Sequence, residues 1–474
     1  MSKLTKRIIF IMSTLFVILL FLLAYFYLSR VHFTTDILRR NDVEALEIQD
    51  YNCILMSMTP PTNIDTYVLD ELMGYDTLQA THRFENLFDI SDYLTLAFSK
   101  APDTAMIYIV VSPSELASDY GYHASIYGKL IDKKLGEFCG AFPETEFYFL
   151  LSPLSAEYLH SLNSKKQTEI LASYRDFYNV LAAYENVRVS YYNDTEWVIS
   201  NPAGFETEET PTRDLYRLMM ALGFYDGKYL LKYENSDMRF SLTEQLISSF
   251  SGYEKYHTLD NTELIFFGDS VIGNFSDSTS IPEVASALLD VPAYNIGLGG
   301  ASAGTGMFEK IADDFISGNY EAYDNTKQPR HGIKDFVDKA DSESDKIFII
   351  TFALNDFFSG TPVEAYAESM RKEIEVLMSS FPNSRVIILS TTFTQAFGYG
   401  NEIQNDGGTL NDYVTAAQAL CDDFPDGSVI WTDYGFDINR ENFSQYLSDG
   451  VHPNEYGRFL IGRHIAELLS SQGQ

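Results

Sequence analysis

Leu264-Ile-Phe-Phe-Gly-Asp-Ser270 decides how the chain folds. Four apolar residues closed by a glycine are too short for a helix and read as a buried strand. The serine then falls at the turn from that strand into a helical stretch. Working outward, the same unit recurs. Strand candidates Leu264–Phe267, Ala293–Ile296, Lys346–Phe352, Arg385–Ser390 and Val429–Thr432 alternate with helical stretches such as Val363–Ser380. In that stretch Ala367, Met370, Ile374 and Leu377 fall on one face. Alternating strands and helices describe a parallel sheet covered on both faces. Five such units predict an α/β domain with a flavodoxin-like, doubly wound parallel sheet over residues 257–474.

The first half repeats the pattern. Ile107-Tyr-Ile-Val-Val-Ser matches Ile347-Phe-Ile-Ile-Thr-Phe, and Phe142-Pro-Glu-Thr-Glu-Phe-Tyr-Phe-Leu matches Phe381-Pro-Asn-Ser-Arg-Val-Ile-Ile-Leu. Residues 45–225 therefore read as a second α/β domain, either a worn copy of the first-described one or an unrelated accessory domain. Residues 226–256, carrying Gly, Ser and charged residues, are the expected linker.

Residues 1–30 form a third region. Ile8–Leu28 is a 21-residue run broken only by Ser13 and Thr14, long enough to cross a membrane as a helix. Lys3, Lys6 and Arg7 precede it and favour a cytoplasmic N-terminus, with the rest of this single-pass chain outside. Arg30, Arg39 and Arg40 on the far side oppose that orientation. A cleaved signal peptide is the competing reading, against which stand the length of the run and the lack of a small-x-small site.

Composition narrows the function. The 474 residues are 45% hydrophobic and 14% aromatic, enough for sizeable cores. A formal charge of −34 repels phosphate backbones and argues against a nucleic-acid partner. Cys53, Cys139 and Cys421 are odd in number and far apart, and fit buried thiols better than disulfides or metal ligands.

Four blocks carry the chemistry, three of them at strand ends, where sites form in open α/β sheets. They are Phe267-Gly-Asp-Ser270, Asn295-Ile-Gly-Leu-Gly-Gly300-Ala-Ser, Thr351-Phe-Ala-Leu-Asn355-Asp356 and Ser448-Asp449-Gly-Val-His452-Pro453. A serine hydroxyl becomes a nucleophile when a base takes its proton, and histidine does so near neutral pH. Asp449, three residues before His452, can fix the imidazole's tautomer. The amides of Ser270 and Gly300 and the side chain of Asn355 can receive the oxygen charge that attack creates. The chemistry calls for no cofactor and no metal.

At these residues the sequence resembles the SGNH (GDSL-type) esterase and acyltransferase superfamily. Ser270, Gly300, Asn355 and His452 fall on its four name-giving positions and Asp449 on its triad acid. The resemblance implies the SGNH hydrolase fold over roughly residues 260–474. Ala353 stands where the family usually has glycine, and Gly299 competes with Gly300 as the amide donor. On the same template the first half has Thr59, Glu115 and Thr210 in place of Ser270, Asn355 and His452, and so lacks a base.

The expected activity is an extracytoplasmic serine esterase removing an O-acyl group, acetyl above all, from a cell-envelope glycan or glycolipid. The same acyl-serine chemistry also serves an O-acyltransferase moving acetyl or D-alanyl groups onto an envelope polymer. A scaffold without activity is the third reading. Expected partners are the membrane, through Ile8–Leu28, the acylated glycan or glycolipid, and envelope-polymer assembly proteins.

Overall fold

Runs of β-branched and aromatic residues build two five-stranded parallel sheets in the computed structural model. It describes residues 41–472 apart from 43, 48, 124–125, 391–406 and 426. The first sheet holds β1 (Cys53–Ser57), β2 (Thr77–Gln79), β3 (Met106–Val111), β4 (Glu146–Leu151) and β5 (Val187–Tyr191), in the order β2-β1-β3-β4-β5. The second holds β6 (Thr262–Gly268), β7 (Ala293–Asn295), β8 (Asp345–Thr351), β9 (Ser384–Leu389) and β10 (Val429–Thr432). Its order is β7-β6-β8-β9-β10, so both sheets wind identically. This is the flavodoxin-like order, consistent with the SGNH fold. Every residue of β3 and of β6 is buried, the mark of parallel strands covered on both faces.

The chain separates into two compact units. One holds the residues up to Pro153 with Leu162–Tyr192 and Tyr216–Leu242. The other holds Thr243–Gln474 together with Leu154–Ser161 and Asn193–Leu215. The second unit thus takes in two stretches of the first half, one between β4 and β5 and one after β5. Within it, Arg463 pairs with Glu196 at 2.5 Å and Asn201 Nδ2 donates to the Ser278 carbonyl at 2.8 Å.

Two expectations need comment. Residues 226–256, expected as the linker, hold the helix Ser236–Ser249, which buries Ser236, Arg239, Phe240, Thr243 and Ile247, and the division between the two units falls at Leu242/Thr243. The apolar run Ile8–Leu28 lies outside the described residues. Among the described residues no helix is long and apolar enough to cross a membrane.

Register in the second sheet positions the site. Gly268 at the end of β6 stands beside Thr351 at the end of β8, and Phe266 stands beside Asn295 at the end of β7. The segments bearing Ser270, Gly300 and Asn355 therefore leave one edge together. A Cβ on Gly273 would lie 2.5 Å from the Gly297 carbonyl carbon, so only glycine lets the turn after Ser270 press against the loop after β7.

Candidate active site

The first block ends β6 and starts a helical turn, Ser270–Gly273. Asp269 caps it, its carboxylate accepting the Val271 N–H at 2.9 Å. His452 arrives from the far end of the chain, with Nε2 2.8 Å from Ser270 Oγ. Its Nδ1 is 2.7 Å from Asp449 Oδ2. Asp449 Oδ1 also accepts the N–H groups of Val451 at 3.0 Å and His452 at 2.8 Å, closing the loop around the carboxylate. Partial burial pushes the Asp449 carboxyl up, but those bonds from His452 and Val451 outweigh it and hold the group below its ordinary range. An ionised Asp449 fixes the proton on Nδ1, leaving Nε2 to accept the serine proton.

The residues expected as oxyanion donors have the following surroundings. Gly300 has φ +79°, and a Cβ there would meet nothing within 4 Å, so its backbone borders open space. Gly299 instead faces Asn274 Oδ1. Among the described residues the amides of Ser270 and Gly300 donate to no protein acceptor. Asn355 Nδ2 donates to the Ala301 carbonyl at 2.9 Å, leaving its second N–H free of that bond.

Two carboxylates support this arrangement, and their roles went unread in the sequence. Asp356 is fully buried and accepts the amides of Ala303 and Gly304, each at 2.8 Å. It locks the segment that follows Gly300. Burial raises its carboxyl above the ordinary value against the opposing pull of those amides. Asp269 is buried outright, which pushes it up to about 7, against the Val271 amide and the nearby His452. Both stand inside the quoted blocks, which is the only signal a sequence offers. Ala353 enters the third block at φ 157°, ψ −40°, a backbone region that side chains avoid.

The matching edge of the first sheet is closed by its own hydroxyls. Ser57 Oγ lies 2.8 Å from Thr59 Oγ1, the Tyr216 hydroxyl donates to Thr59 Oγ1 at 3.3 Å, and Ser152 Oγ lies 2.7 Å from the Tyr216 hydroxyl. All four residues are buried. Glu115 is engaged by Arg83 and Ser112. Thr210 belongs to the second unit. Among the described residues no cluster of three or more His, Cys, Asp or Glu side chains could hold a metal ion.

Among curated proteins, none matches the chain significantly. Solved structures similar to it include a protein from Lactobacillus plantarum, 18% identical, covering 45% of this chain and 98% of its own, with a TM-score of 0.33. A member of the lipolytic protein G-D-S-L family from Veillonella parvula is 18% identical, covers 44% of this chain and 97% of its own, and has a TM-score of 0.31. A family two carbohydrate esterase from Clostridium thermocellum is 15% identical over 44% of this chain and 64% of its own, with a TM-score of 0.29. Residues 248–465 match the family model for GDSL-like Lipase/Acylhydrolase, the stretch that holds all four blocks. Residues 248–465 are thus a GDSL-like lipase/acylhydrolase domain, that of a serine hydrolase acting on esters.

Proposed function

We propose that Ser270 is the nucleophile, His452 the base and Asp449 its orienting acid. The Ser270 and Gly300 amides and the Asn355 side chain receive the oxyanion. The observation that carries this reading is the hydrogen-bonded chain from Ser270 through His452 to Asp449. In the first step Ser270 Oγ attacks the ester carbonyl and its proton passes to His452 Nε2. The tetrahedral intermediate collapses, the alcohol leaves with that proton, and an acyl-serine remains. Water then attacks, gives its proton to Nε2, and releases the acid as Ser270 regains its hydrogen. Asp449 stabilises the imidazolium throughout.

The substrate we propose is an O-acyl group, acetyl above all, on a cell-envelope glycan or glycolipid. The support is the apolar run Ile8–Leu28 with its preceding Lys3, Lys6 and Arg7, which would tether the enzyme with its site outside the cell.

Ser270→Ala and His452→Ala should each lower kcat on p-nitrophenyl acetate by roughly 10⁴-fold or more, and the double variant should be little worse. A fluorophosphonate should label Ser270 alone. Small, equal losses would mean the activity resides elsewhere. For the tether, a tag after Gln474 in intact cells should be open to external protease, and protection would remove the envelope substrate.

A further inference from the structure

The Ser270–His452 bond joins residues far apart in the chain, so something must hold their two loops in register. The loop carrying His452 is closed on itself. Ser448 donates to the His452 carbonyl, Asp449 accepts from Val451 and His452, and Asn454 donates to the Tyr446 carbonyl. Apart from the Ser270 contact, the polar bonds of Leu447–Asn454 among the described residues stay within residues 443–458.

Arg458 is the exception that reaches out. It lies in the first turn of the helix Glu455–Gln472 and is 3% exposed. Nη1 donates to the Pro453 carbonyl, next to His452, at 3.0 Å. Nε donates to the Thr279 carbonyl at 3.2 Å and Nη2 to Thr279 Oγ1 at 2.5 Å. Thr279 Oγ1 passes its own proton to Asp277 at 2.6 Å, so its lone pairs face the guanidinium. The guanidinium carbon sits 3.9 Å from the Phe275 ring centre. Phe275, Asp277 and Thr279 follow directly on the turn that bears Ser270. That segment is itself pinned to β7, because Asn295 Nδ2 donates to the carbonyls of Ile272 and Phe275.

Burying a guanidinium is costly unless its fork is filled. Here its nearest carboxylate, Glu455, is 3.8 Å away, and the fork is spent mainly on backbone and hydroxyl acceptors from two loops. We propose that Arg458 is a positioning residue: it rivets the loop of the base to the loop of the nucleophile and so sets the Ser270–His452 distance. This rests on the reading of Ser270 and His452 given above. A lysine keeps the charge but cannot span both loops, and a shift of about 1 Å between reacting groups costs up to about 10²-fold in rate.

The test uses the full chain with Arg458→Lys, Thr279→Val and the double variant, on p-nitrophenyl acetate. Urea midpoints establish that each is folded at the assay temperature, and Ser270→Ala runs alongside. The single variants should lose roughly 10- to 100-fold in kcat with KM within about threefold, because positioning acts on the reacting geometry and not on binding. The fluorophosphonate labelling rate at Ser270 should fall in parallel. The double variant should be no worse than Arg458→Lys, since both cut one link. Folded variants with kcat within about twofold of the parent, or with the loss confined to KM, would overturn the proposal. Should Arg458→Lys not fold, Thr279→Val decides by the same criteria. An active Ser270→Ala would instead overturn the nucleophile assignment itself, a separate failure.

Discussion

Asp269 makes the stability of the second unit depend on pH in a direction opposite to most carboxylates. Its carboxyl moves from 3.8 to about 7 on folding because burial penalises the charged form. A raised folded pKa means the native state holds the proton that the unfolded chain releases. The contribution is full below about pH 4, where both states are protonated, and is lost as pH rises through 7. Three units at ~1.36 kcal/mol each give ~4 kcal/mol across that window. Asp269→Asn stays neutral at every pH and keeps an acceptor for the Val271 amide, asparagine capping as well as aspartate. The variant should therefore gain on the parent by ~3 kcal/mol between pH 5 and pH 8, about two units of that slope, a shift of the urea midpoint by ~1 M. Groups such as Asp449, whose depressed pKa works the other way, cancel in the comparison. Trp197 and Trp431 are the chain's two tryptophans and both lie in the second unit, so fluorescence follows that unit alone. A difference that is flat from pH 5 to 8, or one in which the variant loses ground as pH rises, would refute the reasoning.

Ala353→Gly should relieve a strain of about 1–3 kcal/mol at its unusual backbone angle and lose about 0.5–1 kcal/mol to glycine's freedom in the unfolded chain. A net gain of up to ~2 kcal/mol in urea titration is expected, and a clear loss would mean the position is not strained. Asn355→Ala should lower kcat on a small ester by about 10²–10³ with KM little changed, the loss of one oxyanion donor. A KM effect alone would put its side chain in ground-state binding. A fragment of residues 255–474 lacks Glu196 and Asn201, the partners of Arg463 and Ser278. Followed by Trp431 fluorescence, it should unfold at lower urea than the full chain, and equal midpoints would show those stretches contribute nothing.

The strands of the second sheet were legible to within two residues, because buried parallel strands leave continuous apolar runs between turn residues. The helix at 363–380 was legible for its regular stripe. The helix Ser236–Ser249 was not. Its buried stripe is Ser236, Arg239, Phe240, Thr243 and Ile247, and three polar residues among the five break the apolar period. The four blocks were legible because a serine, glycines and an asparagine at three strand ends, joined by a late Asp-x-x-His, make a chemically specific set. Asp269, Asp356 and Arg458 were silent in comparison. The chain is rich in acids and carries many cations, and nothing local distinguishes a buried charge from a solvated one. The membership of 154–161 and 193–215 in the second unit was equally unreadable, since it depends on contacts such as Glu196 with Arg463 that span hundreds of residues.

The hydroxyls at the edge of the first sheet bear on how easily that edge could take a ligand. Ser57, Thr59, Tyr216 and Ser152 satisfy one another, and each is sealed from water. Replacing Tyr216 with phenylalanine takes that partner from the buried Ser152 hydroxyl, and replacing Ser57 with alanine takes the acceptor from the Thr59 N–H, each at about 1–3 kcal/mol, while a base in place of one of them would meet hydroxyls already committed elsewhere. Single substitutions at Tyr216 or Ser57 thus carry a penalty that a marginally stable fold would feel. Building a ligand-binding edge at this position would therefore take coordinated changes among these hydroxyls rather than a single one.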